Sequence, residues 1–252
     1  MSHHIVETKN LVFSYPDNTT ALYGISFKIR HGESVAIVGA NGAGKSTLLL
    51  HLNGYLTPSS GQVRIGDFPL AKETLQEVRR TVGMVFQDPD DQLFMSTVYD
   101  DVAFGPLNLG LPMDEVQARV QKALETVGVL ELKERPSHRL SSGQKRRVAI
   151  ATVLSMSPDI LVMDEPSAGL DPRARRQLIE LLKSFKHSKI IATHDLDMVL
   201  DICDRTIIIN EGKIEADGPT AEIFQNEKLL ANCHLEKPLR LQSCPICAKK
   251  QL

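Results

Sequence analysis

Short apolar runs alternate with amphipathic stretches along most of this chain. Residues 34–38 and 160–163 are apolar runs of strand length, the pattern of strands buried on both faces. Residues 82–86 and 190–193 read the same way. Between such runs, helical spacing is expected over 47–52, 75–80 and 175–185. Strands alternating with helices predict an α/β fold with a mostly parallel sheet, in which ligands sit beyond the carboxyl ends of the strands. Nearer the N-terminus, 10–15 and 21–29 predict strands, broken by Pro16-Asp17-Asn18 and by the turn His31-Gly32-Glu33. A strand over 62–65 follows the turn Ser59-Ser60-Gly61, and 206–209 with 213–216 predicts a hairpin.

From about Gln87 to Met156 the strand runs vanish. Over 113–127, Val116, Val120, Ala123, Leu124 and Val127 recur at three- and four-residue steps, and 144–154 repeats that spacing. A helical subdomain at about 88–156 is therefore expected, inserted in the α/β core. The division expected is a main domain over 1–230 and a cysteine-containing tail over 231–252, with no internal repeat.

The 252 residues carry a formal net charge of −2, which gives no basis for nucleic-acid binding. No apolar run reaches the length of a membrane span, and residues 1–6 lack signal-peptide architecture. A cytosolic chain is expected, any membrane association coming through a partner.

Gly39-Ala40-Asn41-Gly42-Ala43-Gly44-Lys45-Ser46 fits the phosphate-loop pattern G-x-x-x-x-G-K-[ST] at every fixed position. The glycines let backbone N–H groups close on a phosphate, and the loop feeds a helix N-terminus whose dipole favours anions. Asp164 and Glu165 end the apolar run 160–163. Beside a phosphate loop, Asp164 and Ser46 suit Mg²⁺, and Glu165 is set to orient or deprotonate a water. Leu140-Ser141-Ser142-Gly143-Gln144 opens an amphipathic helix and offers a second anion site, separate in sequence from the first.

The phosphate loop, the Leu140–Gln144 segment and Ile160–Pro166 followed by Ser167-Ala168-Gly169-Leu170-Asp171 together resemble the ATP-binding subunits of ABC transporters, over residues 5 to 225. The resemblance implies a P-loop NTPase (RecA-like) core with an antiparallel β subdomain. It implies that ATP and Mg²⁺ are bound by Gly39, Asn41, Gly42, Gly44, Lys45, Ser46 and Thr47. Tyr15 matches the aromatic stacked on adenine, and Gln87 the glutamine that senses Mg²⁺ and the γ-phosphate. His194 matches the switch histidine, and Asp171 the aspartate that communicates across a dimer. In such dimers, a homodimer or a heterodimer with a related ATPase, each ATP lies between the Lys45 loop of one chain and Ser142, Gly143 and Gln144 of the other. ADP lacks the γ-phosphate, so hydrolysis loosens the clasp.

The stretch from Gln87 through Asp88-Pro89-Asp90-Asp91-Gln92-Leu93-Phe94 to Pro106 is similar to the ATPases of energy-coupling-factor importers, especially the cobalt and nickel branch of the CbiO/NikO type. That implies an integral membrane coupling protein, a separate substrate-binding membrane protein, and a place at the cytoplasmic face of the membrane. Vitamin importers share the pattern and remain an alternative, as does a soluble, non-transport ABC ATPase.

Cys203 falls in an apolar helical pattern and reads as a core residue. Cys233-His234 and Cys244-Pro245-Ile246-Cys247 lie beyond the expected ATPase core. A Zn²⁺ site, a redox pair and an unstructured tail are all open readings of them.

Overall fold

The computed structural model describes residues 4–242. Two sheets organise them. The smaller is antiparallel, in the order β2 (Thr20–Arg30), β1 (His4–Ser14), β4 (Ser60–Ile65), β5 (Phe68–Pro69). The larger has six strands, in the order β10 (Lys213–Pro219), β9 (Arg205–Asn210), β3 (Ser34–Val38), β8 (Ser188–Ala192), β7 (Ile160–Asp164), β6 (Val82–Val85). Its five strands from β9 to β6 run parallel, and β10 folds back on β9 as the expected hairpin.

The apolar runs are explained by where the large sheet lies. Strand side chains alternate faces, and both faces are covered. Val35, Ile37, Val162, Ile190 and Ile207 pack toward the antiparallel sheet and helix α1 (Lys45–Leu52). Ala36, Val38, Leu161, Met163 and Ile191 pack toward the helices of the other layer. Each fully buried aliphatic side chain contributes about 1.5–3 kcal/mol, and the stretches Val35–Val38, Val82–Val85 and Ile160–Met163 hold only apolar residues and glycine. Helix α2 (Leu75–Thr81) leads into β6.

The helical block comprises α3 (Val98–Asn108), α4 (Met113–Thr126) and α5 (Ser142–Leu154), and lies between β6 and β7 in the chain. Val116, Val120, Ala123 and Leu124 form the buried face of α4, as their spacing predicts. The remaining helices are α6 (Pro172–Ser184), α7 (Leu196–Ile202), α8 (Thr220–Gln225) and α9 (Glu227–Asn232).

Three local readings differ from the structure. Strand β1 starts at His4 rather than at residue 10. The polar run Glu7–Asn10 masks its alternation: Ile5, Val6 and Thr8 are buried, and Lys9 and Lys28 pair with Glu7. Tyr15 lies just past the end of this strand. Helix α6 starts at Pro172 rather than at residue 175, because the Asp171 carboxylate accepts the N–H groups of Arg173 and Ala174 and caps it. Cys203, in contrast, is buried as expected of a core residue, at the end of α7, with its thiol pushed up to about 12 by burial.

Candidate nucleotide site

The loop after β3 is held by backbone crowding. A Cβ on Gly39 would stand 2.2 Å from the Ile209 carbonyl oxygen, so only glycine fits. Gly44 has φ +105° and would place a Cβ 2.8 Å from the Ala21 carbonyl oxygen. The chain then enters α1 at Lys45, whose ammonium donates to the carbonyls of Gly39 (2.8 Å) and Ala40 (3.1 Å).

This loop forms one wall of a cavity of about 940 Å³. Asn41, Gly42, Gly44, Lys45, Ser46 and Thr47 line it, together with Tyr15, Gln87, Asp164, Glu165 and His194. Parallel pairing explains the convergence: Val85 sits opposite Met163, and Asp164 opposite Ala192, so β6, β7 and β8 deliver their next residues to one edge.

Tyr15 is placed by its neighbours. Its hydroxyl shares a hydrogen bond with the Thr47 hydroxyl (2.8 Å), and its ring meets Phe13 edge-on at 4.9 Å. Phe13 in turn meets the buried His51, which bonds through Nδ1 to the Thr47 carbonyl at 2.7 Å. The aromatic therefore stands over the phosphate loop, its ring half-exposed.

Glu165 has a positive φ of 45° and is buried. Its Oε2 accepts the Thr193 hydroxyl (3.0 Å) and the His194 backbone N–H (3.3 Å), and lies 2.9 Å from His194 Nδ1. Asp164 beside it is buried, which pushes its pKa up; the neighbouring Glu165 charge adds to this, while the Ser46 hydroxyl, Lys45 and Arg146 oppose it. Its Oδ1 has no protein partner. An orphaned buried carboxylate oxygen beside a serine hydroxyl is a donor set that fits a hard divalent cation. With a phosphate cradle on one side and a held carboxylate on the other, the arrangement has the parts for hydrolysing a nucleoside triphosphate.

Ser142, Gly143, Gln144 and Asp171 do not line this cavity. Ser141 and Gln144 close a reciprocal cap on α5: Gln144 N–H donates to Ser141 Oγ (3.3 Å), and Ser141 N–H donates to Gln144 Oε1 (2.9 Å). Ser142, at the first position of α5, is exposed. Cys233 is packed in the core, its thiol pushed up by burial and by Glu215, while His234 is exposed. Cys244 and Cys247 lie outside the described residues.

Sequence reasoning missed Tyr23, Glu211 and Lys213, which also line the cavity. They arrive through tertiary contact: Tyr23 N–H donates to the Gly212 carbonyl (2.9 Å), and Lys213 Nζ lies 5.9 Å from the Tyr23 ring centroid. Local pattern carries no sign of it.

A second groove of about 700 Å³ lies beside the Gln87 loop, lined by Tyr55, Arg79, Phe86, Asp91, Phe94 and Phe104 among others. Phe94 is 64% exposed and meets Phe104 edge-on at 5.0 Å. Buried Asp101 shapes this rim by accepting the N–H groups of Phe94 and Met95, both at 2.9 Å, and the Ser137 hydroxyl at 2.5 Å. Among the described residues no helix is long and apolar enough to cross a membrane.

Comparison with known proteins agrees with this geometry. The ABC transporter family profile matches residues 22–168. A Geobacter sulfurreducens protein provisionally assigned as an ABC transporter ATP-binding protein is 69% identical over 249 residues, covering 99% of this chain and 100% of that one. The energy-coupling factor transporter ATP-binding protein EcfA of Methanocaldococcus jannaschii is 48% identical, over 98% of this chain and 90% of its own length. Among solved structures, CbiO1 of Clostridium perfringens, part of the ABC transporter complex CbiONQ, superposes with a TM-score of 0.82 at 40% identity, covering 100% of both chains.

Proposed function

The chain belongs to the ABC transporter ATP-binding family, an ATPase family whose hydrolysis is coupled to transport, and from that premise we propose that it energises an importer of the energy-coupling-factor type. The carrying observation is the meeting of the Lys45 loop, Asp164, Glu165 and His194 around one cavity. The likeness to EcfA supports the coupling-factor type, and the likeness to CbiO1 supports a transition-metal ion, cobalt or nickel, as cargo.

In this reading Tyr15 stacks on adenine, while Lys45 and the loop N–H groups hold the β- and γ-phosphates. Glu165 takes a proton from the attacking water as its oxygen adds to the γ-phosphorus, and the bond to the β-phosphate oxygen breaks. His194 contacts the γ-phosphate. These groups act by position and charge. Ser46 and Asp164, with Gln87 beside them, would hold Mg²⁺, which when bound neutralises charge on the phosphate oxygens.

The exposed start of α5 supports a dimer, homomeric or with a related ATPase. A head-to-tail second chain brings Ser142, Gly143 and Gln144 over the phosphates held by the Lys45 loop, adding charge-assisted bonds that end when the γ-phosphate leaves. Asp171, capping α6 near this face, is assigned to the contact between chains. The Phe94–Phe104 groove supports docking of an integral membrane coupling protein, itself joined to a substrate-binding membrane protein. This would keep the chain at the cytoplasmic face of the membrane.

Purification from native membranes in mild detergent tests the reading: integral membrane proteins should accompany the chain, and cells lacking it should lose uptake of labelled cobalt or nickel. Uptake of a vitamin lost instead would correct the cargo. A chain that leaves membranes alone, in cells whose uptake is unchanged, would overturn the transport role.

A further inference from the structure

Arg146 and Gln92 tie the backbone around Gln87 to helix α5. Arg146 donates through Nη1 to the Phe86 carbonyl (2.9 Å) and through Nη2 to the Gln87 carbonyl (2.6 Å). Gln92 accepts the Phe86 N–H at 3.2 Å and donates to the Ala149 carbonyl (2.8 Å) and the Thr152 hydroxyl (2.6 Å), both on α5. The backbone of Phe86 is thus gripped from both sides, and that of Gln87 from one.

Arg146 is only 4% exposed, and Asp88, Asp164 and Glu165 are the charged groups that act on it. Its neighbours in the same basic run behave differently. Lys145 pairs with Asp90 at the surface, and Arg147 reaches the Gly128 carbonyl. A guanidinium is a rigid planar fork, so bonding two successive carbonyls constrains where that stretch of backbone lies. A flexible ammonium or a single amide constrains it less. Helix α5 starts at Ser142, one turn before Arg146.

We propose that Arg146 is a positioning residue for Gln87, making the posture of α5 set where Gln87 stands in the nucleotide cavity of the same chain. The inference deepens the proposed function and rests on Gln87 acting at the γ-phosphate. In the proposed dimer, the start of α5 grips the ATP held by the other chain. Arg146 then carries the state of that site to Gln87 of its own site, which links the two ATPs through one helix.

A double-mutant cycle on the full chain decides the matter. Arg146→Gln should lower kcat at least about tenfold with KM for ATP within about twofold, and in a Gln87→Ala background it should change kcat less than about twofold. Arg146→Lys, keeping charge without the fork, should fall between wild type and Arg146→Gln. If Arg146→Gln does not fold, the cycle is run with Arg146→Lys. Equal losses from the Arg146 substitution in both backgrounds would overturn the proposal. Wild-type turnover in Gln87→Ala would instead remove the role of Gln87 on which it rests. ATP-driven association of Glu165→Gln chains is read separately. Its failure sinks the dimer while leaving the cycle to judge Arg146.

Discussion

Nδ1 of His194 lies 2.9 Å from Oε2 of Glu165, and the same oxygen accepts the Thr193 hydroxyl. The carboxylate is therefore held from the end of β8 although it belongs to the end of β7, and the register of those two strands sets its aim. A glutamine at 165 keeps shape and volume but takes no proton. Glu165→Gln should cut the single-turnover rate of ATP hydrolysis at least about a hundredfold, leave ATP binding in place, and accumulate ATP-bound dimers on size exclusion. Turnover at the wild-type rate would remove Glu165 from the proposed reaction.

Asp164 poses the opposite question, because its ionisation is a burden on the folded chain. Burial raises its pKa above its ordinary value, so in the window between the two values the folded state binds more protons than the unfolded one. Stability is then lost as pH rises through that window and is fully present below it. Asp164→Asn should raise Tm at neutral pH by about 2–4 °C, on the scale of a kcal/mol for a chain this size. The gain should shrink as pH falls through that window and be gone below the ordinary value. The same variant should bind ATP with Mg²⁺ more weakly. A lower Tm at neutral pH would show that the carboxylate is a net stabiliser.

How far such a site can be read beforehand depends on whether its parts are local. Lys45 and Ser46 follow a loop in which backbone crowding requires glycine at 39 and 44 and a positive φ favours it at 42, and Asp164 and Glu165 end a run with no polar residue inside it. Those features are local, and they were legible. The large sheet was legible for the same reason: strands covered on both faces leave unbroken apolar runs. Arg146 was not, since Lys145-Arg146-Arg147 reads as one solvated basic run until packing buries only the middle member. Asp101 was hidden in the same way beside Asp100, in a stretch read only as part of an acidic loop and a broad helical region. Gly105 and Pro106 within α3 obscured that helix. Tyr23 and Lys213 reach the cavity only because β2 and β10 meet, which no local pattern encodes.

Tyr15 separates two contributions that share one ring. Its hydroxyl bonds Thr47, while its face is available for a base. Tyr15→Phe keeps the face and should raise the Kd for ATP less than about threefold, as expected for a part-exposed hydrogen bond. Tyr15→Ala loses the face, and stacking of about 1–3 kcal/mol predicts a rise of roughly 5- to 150-fold. Neither change should alter the maximal rate much, since the ring contacts Thr47 and Phe13, whereas Glu165 is held by Thr193 and His194. Equal effects from both substitutions, in a fluorescent-nucleotide titration, would assign the energy to the hydroxyl instead.

The Phe94–Phe104 pair offers the cleanest division between chemistry and coupling. Phe94 is 64% and Phe104 42% exposed, so neither belongs to the buried core, and the two rings meet edge-on. Large aromatics held at a solvent-facing rim are the residue type that anchors an interface. The rim is rigid because Asp101 fixes the Phe94 and Met95 backbone. Phe94→Ala with Phe104→Ala should leave Tm within about 2 °C and basal ATP hydrolysis within about twofold. The double variant should lose at least about tenfold in recovery of membrane proteins, since anchor residues each carry about 2 kcal/mol or more. Asp101→Ala should behave differently. It strips three donors of one buried acceptor and should lower Tm outright, because each unsatisfied buried group costs about 1–3 kcal/mol. Undiminished membrane recovery with both aromatics gone would move the docking surface elsewhere on the chain.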